Sequence, residues 1–147
     1  MALMHVMYTL QEQLDFKLYI VAVDHGLRED AKTEVDIAFN YAMLISNNSL
    51  PFFFKKVTIS GSSNIQEKAR NERYKAIREV KESIGADYIA TAHHMEDKAE
   101  TVLMRVIRGT SVKGLNVLEP INKDILRPMI KARKRDVMLH ISRKSIP

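Results

Sequence analysis

Two histidines and three acidic residues occur within eight positions in the middle of this chain, in the segment 92–101 (AHHMEDKAET). The segment follows a strand-like apolar run at 87–91 and leads into a helical pattern. In an open α/β sheet, ligands bind beyond the carboxyl ends of the strands, so titratable side chains there indicate a site. Asp97 and Glu100 lie one turn apart on one helix face, and carboxylates of this kind suit Mg²⁺.

A structural explanation also fits this segment. Glu96 and Asp97 would be favourable at a helix N-terminus simply because they complement the helix dipole. A zinc-type site is not favoured, since the segment has neither a pair of histidines four residues apart nor any cysteine.

A second segment, 69–75 (ARNERYK), places Arg70 and Arg73 one turn apart on a helix. A guanidinium fork suits phosphate. The alternative is that these two arginines pair with Glu67 and Glu72 on a solvated helix face.

Two loop segments add weaker signals. Residues 24–28 (DHGLR) directly follow a strand pattern, and Gly26 would allow a tight turn or the close approach of a ligand. Residues 108–115 (RGTSVKGL) are either a basic loop that contacts RNA or a plain helix stop.

Apolar periodicity predicts alternating helices and strands along the chain. The predicted helices cover 1–14, 30–47, a stretch from an N-cap at 63 or 64 to 84, 96–107 and 133–143. The predicted strands cover 17–23, 51–59, 87–91 and 125–130, the last of them interrupted by Pro128. Residues 110–120 are predicted as a loop. This alternation predicts an α/β fold with a doubly wound parallel sheet. Such a fold normally opens with a strand and a phosphate-binding loop, whereas this chain opens in a helix.

Composition narrows the classes of protein. A chain of 147 residues is one domain or part of one, and it has no apolar run that could span a membrane and no basic region typical of a signal peptide. The absence of cysteine excludes disulfides and thiolate chemistry and fits a cytoplasmic location. The net charge is +5, and residues 123–147 carry eight Lys or Arg against two Asp, which suits RNA or forms a solvated basic face.

Taken in order, these segments resemble the tRNA(Ile)-lysidine synthetases, which belong to the N-type ATP pyrophosphatase superfamily. Residues 23–28 look like the family's V-D-H-G-L-R, residues 69–74 are similar to its A-R-x-x-R-Y, and residues 92–101 look like its A-H-H-x-D-D-Q-A-E-T. Residues 108–115 and 127–129 resemble its R-G-T-x-x-x-G-L and R-P-L-L.

This resemblance implies a Rossmann-like fold of the HUP type, that of the adenine-nucleotide α-hydrolases. It implies a ligase that uses ATP and Mg²⁺ to adenylate O2 of the wobble cytidine in a tRNA(Ile) with a CAU anticodon. Free L-lysine then displaces AMP at C2 and gives lysidine. The resemblance implies a cytoplasmic enzyme without membrane contact and allows a homodimer.

The resemblance also implies roles for individual residues. Asp97 would orient the lysine amine or bind Mg²⁺, His93 would contact the nucleotide or the activated base, and Arg73 with Lys75 would neutralise phosphate or hold the cytidine. Glu100 would help to form the lysine pocket. The remaining candidates are His25, Arg70 and His94 for nucleotide or substrate, and Arg108 and Lys113 for tRNA.

In this family the signature S-G-G-x-D-S precedes M-A-L-L, and the chain opens MALM. We therefore expect residues 1–147 to form a partial domain without the first strand, the phosphate loop and the C-terminal tRNA-binding domains. By itself the chain is expected to bind ATP poorly and to make no lysidine. Glu96 and Lys98 stand where the family usually has Asp and Gln.

Two alternatives remain open from the sequence. One is an inactive or truncated remnant that at most binds nucleotide or tRNA. The other is a tRNA thiolase of the same superfamily, against which the absence of cysteine counts.

Overall fold

The structure is a computed structural model that describes residues 1–24, 26, 31–59, 64–109, 114 and 116–147. The chain forms two compact units, Leu3–Ala86 with Met1 and Pro147, and Asp87–Ile146 with Ala2. The elements in chain order are α1 (Ala2–Leu10), β1 (Ile20–Asp24), α2 (Ala31–Ser46), β2 (Phe52–Lys56), α3 (Ile65–Ser83), β3 (Ile89–Ala90), α4 (Met95–Ile107), β4 (Ile121–Asn122), β5 (Ile125–Leu126) and α5 (Lys134–Arg143). This order confirms the predicted α/β class.

The first unit contains a parallel pair of strands, β1 and β2. Ile20 lies opposite Phe52 and Asp24 opposite Lys56, and the Val57 N–H extends the ladder by donating to the Asp24 carbonyl at 2.8 Å. Parallel strands need a long crossover between them, which α2 supplies here. The carboxyl ends of β1 and β2 therefore share one edge of the sheet, and Asp24 lies at that edge.

A buried serine fixes the end of this crossover. Ser46 is only 3% exposed, and its hydroxyl donates to the Ala42 carbonyl at 2.7 Å and accepts from the Leu50 N–H at 3.1 Å. A buried hydroxyl that is bonded on both sides avoids the desolvation cost of an unpaired polar group. These bonds set the direction in which the chain enters β2, where Phe52 packs edge-on against Phe39 with ring centroids 5.3 Å apart.

The second unit contains three short strands in the order β3-β5-β4. β3 pairs with β5 in parallel, and β4 pairs with β5 antiparallel through a turn in which Lys123 has a φ of 53°. The Ile89 N–H donates to the Asp124 carbonyl at 2.7 Å and the Thr91 N–H to the Leu126 carbonyl at 2.9 Å. This ladder fixes the backbone immediately before the 92–101 segment.

Several boundaries of helices and strands differ from the prediction. α1 ends at Leu10 rather than at 14, and β5 ends at Leu126 rather than at 130 because Pro128 has no N–H to donate to a ladder. The β4 strand was not predicted, since two residues are too short to show a period. Residues 110–113 and 115 of the predicted loop lie outside the described residues.

The sequence predicts a single sheet, whereas the described residues form one two-stranded and one three-stranded sheet. Among the described residues, β1 pairs only with β2 and β3 only with β5, so each of these two strands has one unpaired edge. Within the same residues, no helix has the length and the hydrophobicity needed to cross a membrane.

Candidate functional site

A cavity of about 700 Å³ opens in the first unit where β1 ends. Its apolar wall is made largely of small residues from β1, α2 and α3, and four charged side chains also line it. The small residues are Ala22, Ala31, Ala38 and Ala69; the charged ones are Asp24, Glu34, Arg70 and Arg73. A roomy cavity with an apolar wall and a few converging polar groups is the usual form of a small-molecule site.

The predicted arginine pair forms one wall of this cavity. Arg70 and Arg73 both line it because residues three apart on α3 share a face. The guanidinium carbons lie 5.7 Å and 5.9 Å from the ring centroid of Tyr74, within cation–π range, which restrains both side chains. Among the described residues, neither arginine forms an ion pair with Glu67 or Glu72. The pairing with these acids is therefore not seen, both arginines are exposed, and phosphate binding stays a prediction.

Asp24 shapes the loop that leaves β1. Its Oδ1 accepts the Gly26 N–H at 2.7 Å, and Gly26 has a φ of 65°, in the left-handed region that glycine adopts without strain. Sequence reasoning quoted Asp24 within a motif but gave no role to it or to Glu34. A polar residue at the carboxyl end of a buried strand was the signal available for Asp24. His25 lies outside the described residues.

A second cluster lies in the second unit, at the start of α4. His94 is the N-cap of this helix, and its N–H donates to Asp97 Oδ2 at 2.8 Å. The Thr101 hydroxyl donates to the Asp97 carbonyl at 2.7 Å. Asp97 therefore closes the first turn of α4, as an acid at the third helical position often does. The structural explanation of this residue is confirmed, while its side chain remains 36% exposed and accessible to a ligand.

The His94 ring lies against two carboxylates. Its Nδ1 is 3.2 Å from Glu96 Oε2 and 3.4 Å from Asp97 Oδ2, and the side chain is 19% exposed. Neither contact is a hydrogen bond, and Nδ1 is buried without a hydrogen-bond partner among the described residues. Glu96 Oε2 also accepts the Lys134 N–H at 2.8 Å. This backbone hydrogen bond, aided by His94, holds the pKa of Glu96 below its usual value.

His93 is held by a residue that sequence reasoning missed. Its Nδ1 lies 2.9 Å from the Thr91 hydroxyl oxygen, which itself lies 3.4 Å from the Leu126 carbonyl oxygen. A hydroxyl two residues before the histidine was the available signal. The His93 ring is thus held at Nδ1 by a hydrogen bond, whereas Nδ1 of His94 only lies close to two carboxylates.

The other predicted site residues make fewer contacts with the cavity or with the second cluster. Lys75, Glu100 and Arg108 are exposed, and they belong neither to the cavity wall nor to the contacts of the second cluster. Arg108 caps the carboxyl end of α4, and Lys113 lies outside the described residues. No group of three or more His, Asp or Glu side chains is arranged to hold a metal ion in the part of the chain that the structure describes.

The comparisons with known proteins cover the whole chain. The family model of the PP-loop domain matches residues 1–147. A tRNA(Ile)-lysidine synthase from Thermosipho africanus is 33% identical over 151 residues, which are 99% of this chain and 34% of that protein. One from Caldanaerobacter subterraneus is 31% identical over 153 residues, which are 99% of this chain and 32% of that protein. The chain therefore spans about a third of the length of these two relatives.

A solved structure shares the fold. The U34-tRNA thiolase NcsA from Methanococcus maripaludis, determined with its 4Fe-4S cluster, superposes with a TM-score of 0.73 at 20% sequence identity. The match covers 97% of this chain and 52% of that one. It fits the HUP-type fold, and the curated relatives confirm the resemblance that the sequence segments predict. The chain belongs to the PP-loop domain family.

Proposed function

We propose that this chain forms part of an enzyme that ligates L-lysine to C2 of the wobble cytidine of tRNA(Ile) with a CAU anticodon. In the first step, O2 of the cytosine attacks the α-phosphate of ATP and pyrophosphate leaves. In the second, the lysine ε-amine attacks C2, AMP leaves with the C2–O2 bond pair, and the amine loses a proton. The observation that carries the proposal is the arginine-lined cavity at the end of β1, in a chain similar over its full length to lysidine synthases.

In the first unit, the cavity would receive the nucleotide. Arg70 and Arg73 would neutralise phosphate charge that develops as pyrophosphate leaves, a task suited to fixed guanidinium forks. Lys75 is proposed as a further contact for phosphate, and His25 as a further contact for the nucleotide. Asp24, whose Oδ1 accepts the Gly26 N–H, would accept a hydrogen bond from a hydroxyl group of the nucleotide.

In the second unit, histidine and acidic side chains would contact the cytosine base and bind the lysine. His93 and His94 would contact the nucleotide or the activated cytosine. Asp97 and Glu100 would receive the lysine amine. Mg²⁺ usually binds through one or two carboxylates together with substrate phosphates rather than in an all-protein cage. The accessible carboxylate of Asp97 fits that requirement, and the ion would supply charge neutralisation on the phosphates.

The basic surface of the second unit would contact tRNA. Its exposed cations lie before and within the first turn of α5: Lys131, Arg133, Lys134 and Arg135. Arg108 and Lys113 are proposed as further contacts for tRNA. A homodimer stays a prediction for which light scattering is the direct measurement.

The proposal includes the domain itself. We infer that residues 1–147 are part of an N-type ATP pyrophosphatase domain. The edges of β1 and β3 that are unpaired among the described residues support this, because their backbone N–H and C=O groups are available to pair with a further strand. A thiolase function is not proposed, since the chain has no cysteine and the thiolase neighbour supports the fold alone.

A chimera tests the proposed reaction without any assumption about the rest of the protein. Residues 1–147 would replace the matched segment of the Thermosipho africanus enzyme, and lysidine would be measured by mass spectrometry of digested tRNA(Ile). We expect the chimera to form lysidine. Arg73→Ala in the chimera should lower the rate at least about 100-fold, as loss of a transition-state charge partner does.

The matched control is Arg78→Ala on the same helix. Arg78 lies 5.8 Å from the Tyr74 ring centroid, as the other two arginines do, but it does not line the cavity. Its replacement should change the rate by less than about threefold. A folded chimera that binds ATP and yields no lysidine would instead favour the second candidate, a remnant that only binds nucleotide or tRNA.

A further inference from the structure

The ring of Tyr74 on α3 lies next to three arginines. The guanidinium carbons of Arg70, Arg73 and Arg78 are 5.7, 5.9 and 5.8 Å from its centroid. Arg70 precedes Tyr74 by four residues and Arg78 follows it by four, and side chains at this spacing meet on a helix. Each distance is within the cation–π range of about 6 Å, so the ring attracts all three cations. Arg70 and Arg73 also line the cavity, whereas Tyr74 is not part of its lining.

The ring is the contact that holds the two cavity arginines. Neither Arg70 nor Arg73 forms a salt bridge with a carboxylate in the part of the chain that the structure describes, and both side chains are exposed. An exposed arginine loses much rotamer freedom when it binds a ligand. An arginine that already lies against a half-buried ring loses less, and such preorganisation favours binding.

We infer that Tyr74 is a positioning residue, which holds the guanidinium groups of Arg70 and Arg73 at the cavity through the negative face of its ring. Tyr74 acts through these two arginines and does not itself contact the ligand. It closes the 69–74 motif, in which sequence reasoning gave a role to the arginines and none to the tyrosine. The inference rests on the proposed function only for the nature of the ligand, the phosphates of ATP.

The electrostatics of the ring and its packing predict different results for replacements of similar size. Tyr74→Phe keeps an aromatic ring with a negative face and loses only the hydroxyl group. Tyr74→pentafluorophenylalanine keeps the ring but reverses its quadrupole, so the face of the ring no longer attracts a cation. Tyr74→Leu removes the ring altogether.

The first test is ¹⁵N relaxation of the Nε–H groups of Arg70 and Arg73, measured on this chain without ATP or tRNA. This measurement reports side-chain motion on the picosecond to nanosecond timescale. We expect restricted motion of both groups in the unchanged chain and in Tyr74→Phe. Both groups should become more mobile in Tyr74→Leu and in Tyr74→pentafluorophenylalanine.

The second test is lysidine formation by the chimera. Tyr74→Leu and Tyr74→pentafluorophenylalanine should each lower kcat about tenfold, because two cation–π contacts are lost from groups that would act on the phosphates. The KM for L-lysine should stay unchanged, since neither arginine is proposed to bind lysine. Tyr74→Phe should keep kcat within about twofold.

Tyr88 provides the matched control. It is 55% exposed, and no arginine lies against its ring among the described residues. Tyr88→Leu and Tyr88→pentafluorophenylalanine should leave the relaxation of both arginines and the kcat of the chimera unchanged.

Two results would overturn the inference. One is a Tyr74→pentafluorophenylalanine variant that matches Tyr74→Phe in both tests, and the other is a Tyr74→Phe variant in which both arginines become mobile. Should Tyr74→Leu fail to fold, the two ring variants decide. A chimera that forms no lysidine with Tyr74 intact would count against the proposed function and leave the relaxation result as it is.

Discussion

Asp97 and His94 form a closed helical turn: the His94 N–H donates to Asp97 Oδ2 at 2.8 Å, three residues further along the chain. The acid proposed to meet lysine or Mg²⁺ thus also holds the backbone that carries both histidines. A loss of activity on its removal would mix a structural effect with a chemical one, so the two effects need separate variants.

For Asp97, we expect Asp97→Ala to lower the free energy of unfolding by about 1 kcal/mol, the usual contribution of a helix-capping side chain. Asp97→Asn retains an acceptor for the His94 N–H, so its free energy of unfolding should fall by less than half as much. Urea unfolding measures both changes. In the chimera, both variants should strongly lower lysidine formation, because neither alanine nor asparagine carries the negative charge that would attract the lysine amine or Mg²⁺. Full activity of Asp97→Asn would limit Asp97 to the structural role.

Arg127 gives a prediction about stability rather than catalysis. It is only 7% exposed, and its Nη1 donates to the Glu119 carbonyl at 2.8 Å. Arg127→Ala removes this bond and leaves a cavity, so the free energy of unfolding should fall by about 2–4 kcal/mol. Arg135→Ala, at an exposed site on α5, should change it by less than about 0.5 kcal/mol. Equal effects of the two variants in urea unfolding would contradict the structural role of Arg127.

The raised pKa of a buried tyrosine predicts how the stability of the fold changes at alkaline pH. Tyr41 is 6% exposed, its hydroxyl oxygen lies 2.7 Å from His5 Nδ1, and burial raises its pKa above the usual 10.0. Because the folded-state pKa is the higher one, the stabilisation is complete below pH 10.0 and is lost as pH rises through the folded value.

Tyr41→Phe should cost about 1 kcal/mol at neutral pH through the lost hydrogen bond, and it should reduce the loss of stability above pH 10.0. Urea unfolding on both sides of that pH measures the difference. Tyr88→Phe is the matched control, since Tyr88 is 55% exposed. An identical alkaline profile in both variants would argue against the burial effect.

The lowered pKa of Glu96 predicts how the start of α5 responds to acid. Its pKa lies below the usual 4.5, chiefly because its carboxylate accepts the Lys134 N–H. A depressed folded-state pKa gives a stabilisation that is present above pH 4.5 and is lost as pH falls through the folded value. The Lys134 amide should therefore lose its protection in acid, after correction for intrinsic exchange. In Glu96→Gln this loss should be absent, because an amide does not titrate.

The basic start of α5 predicts salt-dependent RNA binding. If Arg133 and Arg135 contact phosphates, replacing both with alanine should reduce the slope of log binding constant against log salt by about two. Filter binding of tRNA(Ile) over a salt series measures this slope. Lys55→Ala with Lys56→Ala, an equal loss of charge from the exposed end of β2, is the control. Binding that does not depend on salt would contradict the proposed contact.

The sequence by itself determined the alternation of helices and strands, the family, and the placement of Arg70 and Arg73 on one face of α3. These features are local, because a period of two or of 3.6 residues and the order of short motifs can be read directly along the chain. The capping role of Asp97 was also foreseeable, since its partner lies only three residues away.

Only the tertiary structure decided which side chains meet across long stretches of chain. Glu96 and the Lys134 amide are 38 residues apart, and Thr91 reaches the Leu126 carbonyl only because β3 pairs with β5. The burial of Arg127 and the presence of Asp24 and Arg70 in the lining of one cavity likewise depend on packing. A periodicity fixes the face on which a residue lies, whereas the partner of that face is set by how separate elements pack together.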